Sequence, residues 1–325
     1  MQWERGVEDT RQKFARLIGA DAAEIAFVKS TADGINVAAA ALSLRSGDNV
    51  ILNDLEHASN VFPWLNLQRH GVEVRIVPTV AGQVLVADLE AASDARTRVI
   101  AIAAAQFRSG FRADLARLAD VCRRNRIYMV VDGIQALGTL DFNVRALGVD
   151  ILACGAQKGL LGPYGVGALY VRRELITELQ PGYLAGEGVV GGGKIMEMQL
   201  VDDARRFEIG NYNHPGIVGF SAGLDVLLKI GTDVIEKHVL ELGRQLIEGL
   251  TSRGVPVLGS LNDAERSGIV SFSVPELERA IERFEANGVR IASRRGYARV
   301  SFHVYNSGDD VDRVLHVLGE HLASC

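Results

Sequence analysis

Cysteine is nearly absent from this chain. Cys122, Cys154 and Cys325 are an odd number at unrelated spacings, which gives neither a disulfide framework nor a zinc pattern and fits a reducing cytoplasm. Long apolar runs are missing too. The longest, Val99–Ala105, is far too short to cross a bilayer, and the opening Met1-Gln-Trp-Glu-Arg5 lacks the apolar core of a signal peptide. No run of like charges occurs and the net charge of -5 is mild, which argues against nucleic acid as a main partner and against a polybasic membrane contact. Small ligands remain. With 325 residues, 48% of them hydrophobic and 23% charged, the chain can bury a large core and has the length of two domains, or of one with an appendage.

Its most informative stretch is Asp150-Ile-Leu-Ala-Cys-Gly-Ala-Gln-Lys158, where an apolar run ends in one lysine before the glycines and proline of Gly159–Gly167. The pattern reads as strand, tight turn bearing the lysine, strand. An ammonium at the mouth of an apolar core is costly, so such a site lowers the amine's pKa and favours the neutral nucleophile that a Schiff-base lysine requires. A surface lysine in a glycine-rich hairpin is the alternative. One strand-and-helix unit upstream, the run Ile127-Tyr-Met-Val-Val-Asp132 ends in an acid. Consecutive strands of a parallel sheet point the same way, so Asp132 and Lys158 are expected at one sheet edge, where α/β proteins bind ligands. Pyridoxal phosphate needs that pair, a lysine for its aldehyde and an acid for its ring nitrogen.

Other strand ends carry polar residues. After strand Glu24–Val28, the turn Ser30–Gly34 opens a helix, placing backbone amides and the Thr31 hydroxyl where a phosphate, or only an N-cap, would use them. After strand Asn49–Leu52, His57 is either a helix cap or a group facing a ligand. After strand Arg98–Ala104 comes Gln106, and three residues beyond Asp132 comes Gln135. The formal G-x-G-x-x-G of Gly186–Gly191 has no strand before it and no helix after it, so Gly182–Asp203 reads as a mobile loop and not as a dinucleotide fingerprint. Helices are expected at Asp9–Ile18, Ala87–Ala92 and Leu115–Arg124, and their alternation with strands specifies a mostly parallel sheet with helices on both faces. A bridging helix Pro215–Lys229 then leads to helix Asp233–Arg253, strands Val255–Leu258 and Ile269–Val274, helix Leu277–Asn287, two strands within Val289–Val304, and helix Asp310–His321. The expected division is residues 1–213, 214–230 and 231–325.

These motifs, in order and spacing, resemble the class V aminotransferase family of fold-type I pyridoxal phosphate enzymes, which includes cysteine desulfurases, cystine lyases and isopenicillin N epimerase. They are Ser30–Asn36, Glu56–Asn60 with Pro63-Trp64, Val131–Gln135, Gln157-Lys158 with Gly162-Pro163, Phe207–Asn213 and Arg299–Asn306. The resemblance implies a large domain with a seven-stranded sheet and a smaller α+β domain, joined in a homodimer. It implies that Lys158 holds the cofactor, Asp132 protonates its pyridine nitrogen, His57 lies on the ring and Gln135 bonds the phenolic oxygen, where Gln106 is a further candidate. Thr31, the Ala32 amide, Gln157 and the Asn211 of a partner subunit would hold the phosphate, with Arg294 on the substrate carboxylate. The alternative for Arg294 is a solvated surface arginine.

Three departures shape the functional expectation. Gln157 stands where relatives carry a histidine, so it can donate a hydrogen bond but no charge. The segment Arg294–Arg299 lacks the cysteine on which desulfurases form a persulfide, which disfavours that reaction and points to the cystine-lyase and epimerase-like branch. Relatives also have several dozen residues before the equivalent of Asp9, including a substrate cover, which weakens analogy for the substrate. The expectation is β-elimination or C–S lysis of an amino acid. Transamination and epimerisation are the alternatives within the family, and a non-catalytic cofactor-binding protein is the alternative outside it.

Overall fold

The computed structural model describes residues 2–192 and 198–324. Strands Ile25–Val28 (β1), Asn49–Asn53 (β2), Glu73–Val77 (β3), Thr97–Ala103 (β4), Tyr128–Asp132 (β5), Ile151–Gly155 (β6) and Gly167–Val171 (β7) form one sheet in the order β1-β7-β6-β5-β4-β2-β3. From β6 to β3 all neighbours are parallel, whereas β7 runs antiparallel to both β6 and β1. This is the mostly parallel α/β sheet of the fold-type I class. Strands β5, β6 and β7 are buried almost end to end, as a sheet covered on both faces requires.

Alternation along the strands divides the core in two. Met129, Val131, Leu152 and Cys154 face one layer of buried side chains, and Val130, Ile151 and Ala153 face the other. Helices Gln2–Ile18 (α1) and Thr31–Ala41 (α2) start the two covering layers, Phe14 and Ile18 packing on the first side and Ile35 and Ala38 on the second. The short helices Phe62–Leu65 (α3) and Val86–Ala91 (α4) precede Leu115–Asn125 (α5). Asp114 caps α5 by accepting from Arg117 N at 3.0 Å, Leu115, Leu118 and Cys122 face the core, and arginines fill the last turn, where cations suit the helix dipole. After Arg173–Ile176 (α6), the long helices His214–Ile230 (α7) and Thr232–Thr251 (α8) lead to a second sheet. Its strands, Val257–Leu258 (β8), Ile269–Phe272 (β9), Ala292–Arg294 (β10) and Tyr297–Ser301 (β11), are antiparallel in the order β10-β11-β9-β8, with helices Leu277–Ala286 (α9) and Gly308–Leu322 (α10) beside them.

The structure corrects several boundaries. Helix α1 begins at Gln2 and not Asp9, and in the added turns Val7 is buried. The strand expected at Val255–Leu258 is only two residues long. Within Gly182–Asp203, Gly186–Gly188 forms a 3-10 turn and Val189 bridges Leu200, while 193–197 lie outside the described residues. Among the described residues no helix is long and apolar enough to cross a membrane.

A close backbone approach sets the lysine turn. The chain leaving β5 doubles back through Gly133–Gly138 and lies against Gly159, so tightly that a Cβ on Gly138 would come within 2.0 Å of the Gly159 carbonyl oxygen. Gly138 also has φ +86°. Gly138→Ala therefore combines a left-handed strain with a clash against backbone, and should lower the unfolding free energy by about 3 kcal/mol or more. Gly47→Ala, at φ +92° with open space around it, isolates the strain alone and should cost about 1–2 kcal/mol. Urea denaturation of the two variants gives the comparison, and equal losses would contradict this packing.

Candidate active site

Parallel strands bring their C-terminal ends to one edge, and the polar residues gather there. Asp132 ends β5 and stands in register with Ala153 of the neighbouring β6, while Lys158 occupies the turn three residues past the end of β6. His57 follows β2, and Gln106 follows β4. Lys158 opens into a cavity of about 310 Å³, whose walls include Gln135, Gln157, Arg299, His303 and Tyr305. Such a volume suits a small cofactor or metabolite.

Electrostatics link the lysine to the acid. Asp132 is 2% exposed and accepts one backbone hydrogen bond, from Ile134 N at 3.0 Å. Burial pushes its carboxyl up to about 7, Glu56 adds to the rise, and the Ile134 bond and Lys158 oppose it. The Lys158 side chain lines the cavity and is exposed to solvent, while the protein atoms packed around it withdraw its amine in part from water. Burial lowers its pKa, Asp132 pulls it back up, and Arg299 and Arg294 push it further down. The result is an amine biased toward the neutral, nucleophilic form.

Around this pair the structure distributes the other expected residues. Thr31 is the first residue of α2 and buried, and its Oγ1 accepts from Gly155 N at 3.0 Å, leaving the hydroxyl proton free to donate. Ser30 caps Asp33 N at 3.2 Å, and among the described residues the Thr31 and Ala32 amides have no protein acceptor. Gln157 lies over Gly155, where a Cβ would meet its Oε1 at 2.3 Å. Thr31 and Gln157 thus meet at one glycine. Of the two readings of His57 the structure shows the cap, its Nδ1 accepting from Ser59 N at 3.2 Å at the start of the 3-10 turn Ala58–Asn60, and its ring stands edge-on to Phe107 at 5.2 Å. Burial, then Lys158, Arg295 and Arg294, lower its pKa, so it is a neutral imidazole near pH 7.

Asn211 and Arg294 are not among the residues that line the Lys158 cavity. Asn211, with φ +50°, lines a separate cavity of about 440 Å³ beside Phe27 and Glu208, away from Lys158 of its own chain. Arg294 is exposed at the end of β10 and donates to the Ser293 carbonyl at 2.8 Å. Gln106 is buried below the site, its Nε2 donating to Glu56 Oε1 at 3.0 Å while its own Oε1 has no partner.

Sequence reasoning missed three residues. Arg299 lines the Lys158 cavity from β11, donates to the Phe107 carbonyl at 2.7 Å, and keeps a buried Nε without a partner. An arginine inside an otherwise apolar strand was the available signal. Glu56 is a fully buried carboxylate that accepts from Asn53, Asn60, Gln106 and the Ala103 amide, so it braces the ends of β2 and β4 beside Asp132. His303 donates from Nε2 to the Gly159 carbonyl at 2.9 Å, its Nδ1 accepting from Val304 N, and so pins the residue after Lys158 to the second sheet.

These residues fit pyridoxal phosphate. The two open amides and free hydroxyl at the start of α2 make an anion cradle, and the paired Lys158 and Asp132 offer the amine and acid the ring needs. The two cysteines among the described residues do not fit a sulfur acceptor. Cys154 is fully buried in β6 and burial raises its thiol well above the usual range, Cys122 is buried in α5 with its thiol likewise raised to about 12, and Cys325 lies outside the described residues.

Comparison with known proteins agrees with this geometry. The sequence profile of the family described as Aminotransferase class-V matches residues 1–314. A probable cysteine desulfurase of Methanothermobacter thermautotrophicus is 30% identical, over 98% of this chain and 83% of its own. Among solved structures, the apo cysteine desulfurase of Thermococcus onnurineus NA1 superposes with a TM-score of 0.92 at 28% identity, covering 100% of this chain and 85% of that one. A cystine C-S lyase in complex with its reaction product, cysteine persulfide, shares the fold with a TM-score of 0.91 at 24% identity, covering 98% of this chain and 87% of that one. This chain belongs to the class V aminotransferase family and is a pyridoxal phosphate-dependent enzyme of fold type I.

Proposed function

We propose that this enzyme cleaves the bond between Cβ and sulfur in a sulfur-bearing amino acid by β-elimination, acting in the cytoplasm as a homodimer. The observation that supports it most is the pairing of a depressed amine, Lys158, with a buried acid, Asp132, at one cavity that no thiol of the described residues lines. When bound, pyridoxal phosphate supplies the electron sink for the pair left by the substrate's Cα proton.

The chain's own residues do the rest. Lys158 Nζ anchors the cofactor and, once displaced by the substrate amine, takes the Cα proton. Asp132 holds a proton at the ring nitrogen. His57, neutral near pH 7, lies on the ring and relays a proton toward the departing sulfur. Gln135 bonds the phenolic oxygen. Thr31, the Ala32 amide and Gln157 hold the phosphate together with the Asn211 of a partner subunit. Arg299 takes the substrate carboxylate inside the cavity, and Arg294 stands at its rim. In this reading residues 1–213 bind the cofactor, and 231–325, joined by 214–230, complete the substrate site.

Three outcomes test the proposal. The loaded protein should be yellow, borohydride should fix the cofactor on the peptide containing Lys158, and Lys158→Ala should lower pyruvate release from cysteine or cystine by roughly 10³-fold or more. An adduct on another lysine would refute the assignment, and keto acid without pyruvate would indicate transamination. Light scattering should give twice the chain mass for the loaded protein, whereas a fully loaded monomer would remove Asn211 from the site.

The acid gives a pH signature in cofactor-free protein. Asp132 keeps its proton up to about 7 when folded but loses it near pH 4 when unfolded, so its contribution to stability is complete below about pH 4 and is lost as pH rises to about 7. Asp132→Asn should therefore stabilise the cofactor-free protein at pH 8 relative to pH 4, by a few kcal/mol. Denaturation at the two pH values reads this directly, and a pH-independent difference would contradict the burial argument.

A further inference from the structure

Four guanidinium groups gather on one side of the site. Arg294 and Arg295 lie at the β10–β11 turn, Arg299 in β11, and Arg108 in the loop after β4. They are contiguous. The Arg108 guanidinium lies over the Tyr297 ring at 5.5 Å and its Nη2 donates to the Arg295 carbonyl at 3.4 Å, while the Arg295 guanidinium lies 5.9 Å from the Phe107 ring, which is itself edge-on to His57. Among the described residues no carboxylate lies within ion-pair distance of any of the four, although Arg11, Arg75, Arg112 and Arg145 all have acid partners. The Nε atoms of Arg108 and Arg299 are buried without an acceptor.

Like charges gathered on one side oppose one another, and buried donors without partners are costly, so the cluster is built for anions that arrive with a ligand. One α-carboxylate occupies one guanidinium as a bidentate pair. The cofactor's phosphate has its own cradle at the start of α2. Cationic capacity therefore remains after both are counted. Resting on the C–S lysis reading, we propose that the substrate carries a second carboxylate beyond the sulfur, received by Arg294, Arg295 and Arg108 while Arg299 holds the α-carboxylate. With no acid in the cluster to receive a second ammonium, the far end is an anion alone and not another amino-acid half.

Kinetics and binding of the loaded enzyme test this separately. Pyruvate release from S-carboxymethylcysteine should exceed that from S-ethylcysteine and from cystine at least tenfold in kcat/KM. Arg295→Ala should lower kcat/KM for the carboxymethyl substrate at least tenfold more than for the ethyl one, with Arg295→Lys recovering part of the difference. By calorimetry, glutarate should bind at least tenfold tighter than butyrate, and Arg295→Ala should abolish that preference. Selective glutarate binding without pyruvate from any sulfur amino acid would sustain the anion subsite and sink C–S lysis. Equal kcat/KM for the three substrates with equal binding of the two acids would sustain lysis and overturn the second carboxylate.

Discussion

Parallel pairing of β5 with β6 is the constraint on which the site depends. Because Asp132 sits in register with Ala153, the acid that closes β5 and the turn that follows β6 emerge on the same edge, and neither strand can shift by one residue without moving its buried set to the opposite face. The antiparallel β7 then fixes the return of the lysine turn, with Gly155 and Gly167 directly opposed. From outside, the Gly138 contact and the His303 bond hold the same turn from two directions. Lys158 is placed by backbone geometry before any ligand contact is made.

That placement explains the electrostatics. Burial moves both partners toward neutrality, raising Asp132 and lowering Lys158, while their mutual attraction opposes each shift. A pair in this balance is poorly compensated by itself, and a ligand that brings a basic ring nitrogen to the acid and an electrophile to the amine satisfies both at once. Glu56, held by four donors, adds a second negative group behind Asp132 and keeps that end of the site receptive to a proton.

Much of this was legible in the sequence because it is local. Strand ends follow from where an apolar run stops, so Lys158, Asp132, His57 and the Ser30–Thr31 turn could all be found by their position at such ends. The sheet class followed from the alternation of strands and helices. What escaped was long-range: the bond from Arg299 to the Phe107 carbonyl, that of His303 to Gly159, and the Glu56 network spanning β2 and β4 join residues far apart in the chain. Periodicity also underestimated α1, since among the described side chains before Asp9 only that of Val7 is apolar and buried, too little for a periodic signal, while packing against α7 supports the helix.

The central claim is that Asp132 and Lys158 address opposite parts of one ring. It is tested most directly by the nitrogen-15 chemical shift of ring-labelled pyridoxal phosphate bound to the native protein and to Asp132→Asn. The account predicts a protonated ring nitrogen in the native protein and an unprotonated one in the variant, with the cofactor still attached at Lys158. The same shift in both proteins would contradict it.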